Sequence, residues 1–491
     1  MSDTHAFAWT LLLTAMVGVA ALLSNRLTQY LRVPAPALML AAAAVARLLL
    51  PDVSGPPEQT VDRLVTVALV LILLDGGMGI GWSAFRGAAR PIALVGVVGT
   101  FLTAVAVAAF LHLVVGIDWF PALLVATAVS PTDPAVVFSV LGQREVSGRS
   151  GVILEGESGA NDPVGIALMV SLVAAGELSV GAVGSVTGEF LLQMAVGAAV
   201  GVVGGRGLLL FMRRVPLPAE GLYPLRTVAG ALALFGVATL AHGSGFLAVF
   251  VAGILIGDAR APYKREIEHF HSGLSSLAEI VAFVVLGLTV DLEVLARPDV
   301  WIPGLAVAVV LTCVIRPLLI GPLLAGTGLG SHEKKFVMFA GLKGAVPLLL
   351  GTYIVAAGVP GAERLYGIVV VVVIFSVVVQ GSLVPGVARL LRVPMRQVEP
   401  EPWSLGVRLR DEPNGVHRLT VAAESAADGH RIADLSLLPE NAWVSFVVRS
   451  GRLVPVTAET VLQAEDEALV LGDPGIAEEL HAVFEEPADG S

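Results

Sequence analysis

The sequence predicts an α-helical polytopic membrane protein of about thirteen spans, with inverted repeats and two crossing broken helices, followed by a small cytoplasmic α+β domain. Three observations predict it. The chain is 55% hydrophobic and 14% charged, with a mean hydropathy of +0.83, well beyond what a soluble core needs. Its apolar residues fall into blocks of about 20, the length that crosses a hydrocarbon core as a helix. After Arg396 the blocks stop, charge rises and short alternating stretches begin. The expected division is a transmembrane domain over 1–396 and a soluble domain over 403–486.

The first block, 7–24, lacks a basic residue before it and a small-residue cleavage site after it, so it reads as a span rather than a leader. Further spans follow near 35–50, 61–80, 91–115, 119–141, 151–174, 185–212, 222–241, 246–258, 272–290, 300–325, 335–357 and 365–391. The eighth and ninth are separated only by His242 to Gly245; merging them gives a count of twelve. Loop charge tests the count, because Lys and Arg concentrate on the cytoplasmic side. Alternate loops carry Arg26 and Arg32, Arg86 and Arg90, Arg144 and Arg149, Arg213, Arg214 and Arg226, Arg260, Lys264 and Arg265, Lys334 and Lys335, and Arg389, Arg392 and Arg396. The opposite loops hold Arg63, Arg297 and Arg364. This asymmetry places the N-terminus outside and the acidic tail in the cytoplasm. The one cysteine, Cys313, has no partner for a disulfide, and the scattered basic residues leave no nucleic-acid footprint.

A charged side chain at bilayer depth is costly, so each one should line a pathway or have a partner. The spans contain Asp75, Asp133, Glu155, Glu157, Asp162, Glu279, Arg316 and Lys343. Span five reads Ser130-Pro131-Thr132-Asp133-Pro134, where two prolines remove two amide donors and disfavour helix before each ring. A plain proline kink would account for the rings, but Thr132 and Asp133 between them favour a break that faces an ion. Span twelve carries a second interruption, Gly341-Leu342-Lys343-Gly344-Ala345-Val346-Pro347. If spans one to six and eight to thirteen form two halves, the interruptions occupy the fifth member of each, the pattern of an inverted-repeat transporter with its site where they cross.

Span six reads Glu155-Gly156-Glu157-Ser158-Gly159-Ala160-Asn161-Asp162-Pro163. Spacings of four and seven put Ser158 and Glu155 on the helical face of Asp162. A carboxylate, a hydroxyl and carbonyls freed near Thr132 supply the oxygens a hard monovalent cation takes. Glu157 points elsewhere, and Lys343 is read as its partner in a structural ion pair.

These residues resemble the cation:proton antiporter superfamily, in particular its NhaP branch of bacterial sodium and potassium antiporters. The resemblance covers the membrane part and rests on the Thr132-Asp133-Pro134 break, the Glu157-Ser158-x-x-Asn161-Asp162 stretch and the basic residue of the Gly341-Leu342-Lys343-Gly344 turn. It implies that Asp162 binds cation and proton alternately, that Ser158 and Thr132 help coordinate the metal ion and that Asn161 orients the site; Asp133, between the two prolines, is read with them as an ion- or proton-binding residue. The family's ion pair falls on Glu157 and Lys343, where lysine replaces the usual arginine and loses its fork. Asp75 stands where the family has an acidic residue near the mouth of the site; Glu155 and Arg316 are read with it as an access pathway. The resemblance further implies a homodimer in membrane lipid, no cofactor and no enzyme activity. An Asn-Asp pair, with one titrating carboxylate, implies electroneutral exchange. The wording from Ser158 to Pro163 resembles the potassium/proton members, so K⁺ is favoured over Na⁺ for pH homeostasis.

The tail suggests strands near 405–410, 419–423, 443–449, 453–457 and 468–471 and a helix near 476–484. Gly429-His430-x-Ile432-Ala433-Asp434-Leu435, Arg449-x-Gly451 and Asp466 resemble the C-terminal regulatory domain of Trk-type potassium-transport subunits, TrkA-C or RCK-C-like, which implies a small regulatory ligand, a nucleotide among the candidates. No G-x-G-x-x-G follows a strand, so the NAD-binding domain often beside it is missing.

Two other classes fit the sequence less well. Gly156-Glu157-Ser158-Gly159 matches an intramembrane serine protease motif, but His112 and His242, the histidines available as a base, sit at span ends. A potassium channel would need a T-V-G-type filter loop, and none occurs.

Overall fold

The computed structural model describes residues 34–49, 57–141, 144–146, 148–177, 179–397, 415–435, 438–439, 442–449 and 452–486. The expected first span at 7–24, the loop holding Arg26 and Arg32, and the expected strand at 405–410 lie outside them. The chain divides into two units, Met1–Val398 and Glu399–Ser491.

The first unit is helical. Its elements are α1 (Ala35–Leu49), α2 (Glu58–Ile92), α3 (Gly99–Phe110), α4 (Trp119–Val129), α5 (Pro134–Leu141), α6 (Arg149–Ala175), α7 (Val180–Arg214), α8 (Leu222–Leu240), α9 (Gly245–Gly257), α10 (Lys264–Gly287), the single turn α11 (Leu292–Leu295), α12 (Pro298–Val310), α13 (Arg316–Leu323), α14 (Ser331–Phe339), α15 (Ala345–Ala356), α16 (Ala362–Ile374) and α17 (Gly381–Leu390). Among the described residues seven helices are long and apolar enough to cross a membrane, and the α4–α5 pair, bent by 40° at its break, makes an eighth; α1, α9 and α15 are shorter apolar helices. Every expected span from the second to the thirteenth falls on one of these helices or helix pairs.

Boundaries follow local chemistry. Between the third and fourth expected spans the chain does not form a loop: α2 runs through, interrupted only at Gly81, whose φ of 68° is a left-handed conformation. The Asp258 carboxylate lies against Gly81 and accepts the Ser83 amide, so it caps the helix that restarts there. The boundary at His242 to Gly245 is a true turn: His242 takes a φ of 58° and the Ser244 hydroxyl accepts the Leu247 amide at 3.3 Å, capping α9. Residues Arg144–Val146 (β1) pair antiparallel with Met395–Gln397 (β2). The α6 helix continues past Pro163, which supplies no amide for the Gly159 carbonyl one turn earlier.

The second unit is a small antiparallel sheet, ordered β3 (Val416–Thr420), β6 (Glu467–Leu471), β4 (Trp443–Arg449), β5 (Arg452–Val454), with α18 (Ala477–Phe484) against it. Leu419, Val447, Val470, Leu480 and Phe484 form its core. The expected strand at 453–457 is shorter because Pro455 has no amide to continue the ladder. Asp466 is fully buried beside β6, held by Arg449 through two hydrogen bonds of 2.8 Å.

Candidate functional site

The break in span five is held open by the residues around it. The α4 helix ends at Val129, and residues 131–133 leave the helical path before Pro134 starts α5. Asn161 of α6 answers Thr132 twice, its Nδ2 donating to Thr132 Oγ1 at 2.8 Å and its Oδ1 accepting the Thr132 amide at 3.3 Å. Thr132 Oγ1 in turn donates to Glu157 Oε1 at 3.4 Å. Backbone groups that the prolines freed are thereby satisfied inside protein, as membrane depth requires.

The two interruptions touch. The Asp133 amide donates to the Leu342 carbonyl at 2.8 Å. The Asp133 carboxylate accepts the Ala135 amide at 2.9 Å and is also bonded by the amides of Val136 and Ala345. One side chain therefore caps the N-termini of both half-helices, α5 and α15, satisfying donors that neither helix can. A β-carbon at Gly344 would run into this carboxylate, so the approach requires glycine. Lys343 lies beside it: its Nζ donates to the carbonyls of Ser130 at 2.9 Å and Pro131 at 3.0 Å, and its amide donates to Ser376 Oγ at 2.9 Å. Ser376 and Gln380 continue the support, Gln380 Nε2 reaching the Phe339 carbonyl at 2.6 Å.

The expected Glu157–Lys343 ion pair does not form; the partner of Glu157 is Arg316. Arg316 Nη2 donates to Glu157 Oε1 at 2.7 Å and Oε2 at 3.0 Å, with both side chains almost fully buried. Arg316 Nε also donates to the Met338 carbonyl at 2.8 Å, and its Nη2 to Val337 at 3.2 Å, closing the C-terminal end of α14. The guanidinium passes over Gly341, where a β-carbon would collide with it. Arg316, expected in an access pathway, thus holds three elements together. The arginine comes from span eleven rather than from the broken span, and Lys343 is instead committed to the carbonyls of the first break. The signal that sequence offered was chemical: Glu157 is a buried carboxylate suited to a fork, and Arg316 is the one arginine placed mid-span.

Ser158 and Asp162 are both buried, one helical turn apart on α6, and no hydrogen bond engages either side chain among the described residues. Asp133 and Lys343 are the charged neighbours of Asp162. Asp162 is therefore a carboxylate at the crossing of the network that the network itself leaves open. Glu155 is half-buried on the same helix, and Asp75 on α2 accepts a hydrogen bond from Ser275 of α10. A separate cavity of about 310 Å³, lined by Arg47, Thr289, Asp291 and Tyr366, includes none of these residues.

Comparison with known proteins places the chain in a family. Residues 12–390 match the family model described as sodium/hydrogen exchanger, transmembrane, and residues 416–485 match the TrkA-C domain. The K(+)/H(+) antiporter NhaP of Alkalimonas amylolytica is 33% identical over 410 residues, covering 83% of this chain and 71% of that protein. The K(+)/H(+) antiporter NhaP2 of Shewanella oneidensis is 32% identical over 425 residues, covering 85% and 73%. The Na(+)/H(+) antiporter NhaH of Halobacillus aidingensis is 27% identical over 348 residues, covering 67% and 83%. In fold, the chain is similar to the sodium proton antiporter MjNhaP1 from Methanocaldococcus jannaschii, with a TM-score of 0.63 at 21% identity over 78% of this chain and all of that one. With a family model spanning most of its length and its polar residues gathered at two helix breaks, the chain belongs to the sodium/hydrogen exchanger family: it is a membrane antiporter with a C-terminal TrkA-C domain, and not an enzyme.

Proposed function

We propose that this protein exchanges a monovalent cation, K⁺ in preference to Na⁺, for H⁺ at Asp162, one for one and without net charge movement. The observation that carries the reading is the contrast between the two aspartates. Asp133 is consumed in capping two half-helices, whereas Asp162, buried on α6, is left to bind something else.

In one limb of the cycle the Asp162 carboxyl holds a proton. In the other it holds the cation, with Ser158 Oγ one turn away on the same face as a second ligand and Thr132, pinned by Asn161, at the edge of the site. Because one carboxylate serves both ions, each must leave before the other binds, and that exclusion is what couples the fluxes. Lys343 satisfies the carbonyls of Ser130 and Pro131 and lies near Asp162. Asp75 and Glu155 form the approach. Thirteen spans in two inverted halves, with the N-terminus outside and the tail in the cytoplasm, agree with the loop charges and the contact between the two breaks. We further assign a homodimer, and a regulatory tail at 403–486 that takes a small ligand.

The preference for K⁺ is supported by the names of the relatives at 32–33% identity, while the 27% identical relative is named for Na⁺. Full-length protein in vesicles with a pH-sensitive dye tests the reading. Wild type should show K⁺-dependent proton flux that collapsing the membrane potential does not change, and Asp162→Asn, which fills the same space without titrating, should abolish it in a folded protein. Retained flux in Asp162→Asn removes this residue from the mechanism, and faster exchange of Na⁺ than K⁺ reverses the ion assignment.

A further inference from the structure

Glu279 lies within α10, eight residues from its C-terminal end at Gly287, and none of the roles above uses it. Its Oε1 is buried and has no hydrogen-bond partner among the described residues. A structural carboxylate at bilayer depth is ordinarily paired, as Glu157 is, because an unpaired one forfeits its hydration with nothing in return. Glu279 feels the charge of Asp133, the cap of the two breaks, and α10 packs against α15, one of the half-helices that Asp133 caps.

The same helix carries a trail of oxygens toward this point. Ser275 is one turn before Glu279 and shares its face. It hydrogen-bonds Asp75 across the contact between α10 and α2, and Asp75 in turn feels the charge of Glu268. Glu268 is half exposed near the start of α10, where Lys264 pairs with it at 3.1 Å. At 1.5 Å per residue, Glu268 to Ser275 is a rise of about 10 Å and Ser275 to Glu279 about 6 Å. These steps let a dehydrating cation pass between oxygens without crossing bare hydrocarbon. Asp133 cannot be the last step, since amides occupy its carboxylate, and Glu279 is the carboxylate with an oxygen to spare.

We infer that Glu279 is a relay residue for the transported cation, receiving it from Asp75 and Ser275 on the side where α10 begins and delivering it to Asp162. The inference rests on the antiport reading above and names a residue that reading does not require. A relay lowers the cost of reaching the site, so its loss weakens apparent affinity while the exchange step at Asp162 stays intact.

The test is K⁺-dependent proton flux by full-length protein in vesicles over a K⁺ series, with Asp162→Asn in parallel. Glu279→Gln should raise the apparent Km for K⁺ about tenfold with maximal rate within about twofold, and Glu279→Asp, which keeps the charge but withdraws it by one methylene, should raise it about threefold. A wild-type Km in Glu279→Gln, or a fall in maximal rate at unchanged Km, overturns the relay. If the Gln variant does not fold, Glu279→Asp decides, and an unchanged Km there overturns it equally. Loss of flux in Asp162→Asn with normal Km in Glu279→Gln removes the relay alone. Retained flux in Asp162→Asn removes the Asp162 reading and with it the delivery step of the relay, whatever the Km of Glu279→Gln.

Discussion

Arg316 donates from a single guanidinium nitrogen to both oxygens of Glu157, joining α13 to α6 with side chains 6% and 2% exposed. Breaking a buried pair from one side leaves an uncompensated charge and costs about 3–5 kcal/mol. Arg316→Ala should therefore lower the thermal stability of detergent-solubilised protein strongly. Arg316→Lys should recover part of it, since a lysine keeps the charge and loses the bonds to Met338 and Val337. If Arg316→Ala melts like wild type, the pair does not hold the fold.

Gly341 and Gly344 each sit where a methyl group would strike a charged side chain, the Arg316 guanidinium and the Asp133 carboxylate respectively. Overpacking of this kind costs about 1–3 kcal/mol even where neighbours can shift, and here the neighbours are fixed by their own bonds. Gly344→Ala should reduce exchange to a small fraction of wild type by displacing the cap of α5 and α15. Gly273→Ala, which meets open space, should not. Equal activity in the two variants would show that the break tolerates movement.

A shared carboxylate makes cation and proton competitors. The apparent Km for K⁺ should rise as pH falls, with maximal rate recovered at high K⁺, and Ser158→Ala should raise Km further at every pH by removing one oxygen ligand. A Km that does not change with pH would mean that separate groups carry the two ions.

In the tail, burial of Asp466 opposes its charge, but hydrogen bonds from Arg449 and from the Gln463 amide outweigh that and hold its carboxyl below the usual range. A value lower in the folded state than in the unfolded one stabilises at pH above about 4, and the contribution disappears as pH falls through the folded value. Amide exchange in β4 and β6, corrected for intrinsic rate, should accelerate below about pH 4 in full-length protein. Arg449→Ala should accelerate it about tenfold or more at neutral pH, as expected for a lost hydrogen bond to a charged group. Unchanged protection in that variant would make the pair a surface ornament.

Truncation after Arg396 should leave basal exchange intact in a folded protein and remove its response to cytoplasmic ligands, because a regulator acts through differential affinity for two states. Loss of all exchange would make the tail part of the transport machinery.

Each expected span among the described residues falls on a helix or helix pair, because insertion into lipid is decided by the composition of about 20 neighbouring residues and those are contiguous in the chain. The breaks were legible for the same reason: Pro131 and Pro134 lack amides wherever they are placed, and the Gly341 to Pro347 run repeats the signal. The one-turn spacing of Ser158 and Asp162 is a property of any α-helix. Partnership was not legible. Glu157 chose Arg316, 159 residues away, over Lys343, and the choice depends on how α14 packs against both α13 and α6. Lys343 turned to the carbonyls of Ser130 and Pro131 because the touching breaks bring those oxygens within its reach. Asp133 and Asp162 are alike in sequence as mid-span aspartates. Only the amides of Ala135, Val136 and Ala345 converging on Asp133 separate the cap from the carboxylate that no hydrogen bond engages among the described residues, and that convergence requires two segments more than 200 residues apart to meet.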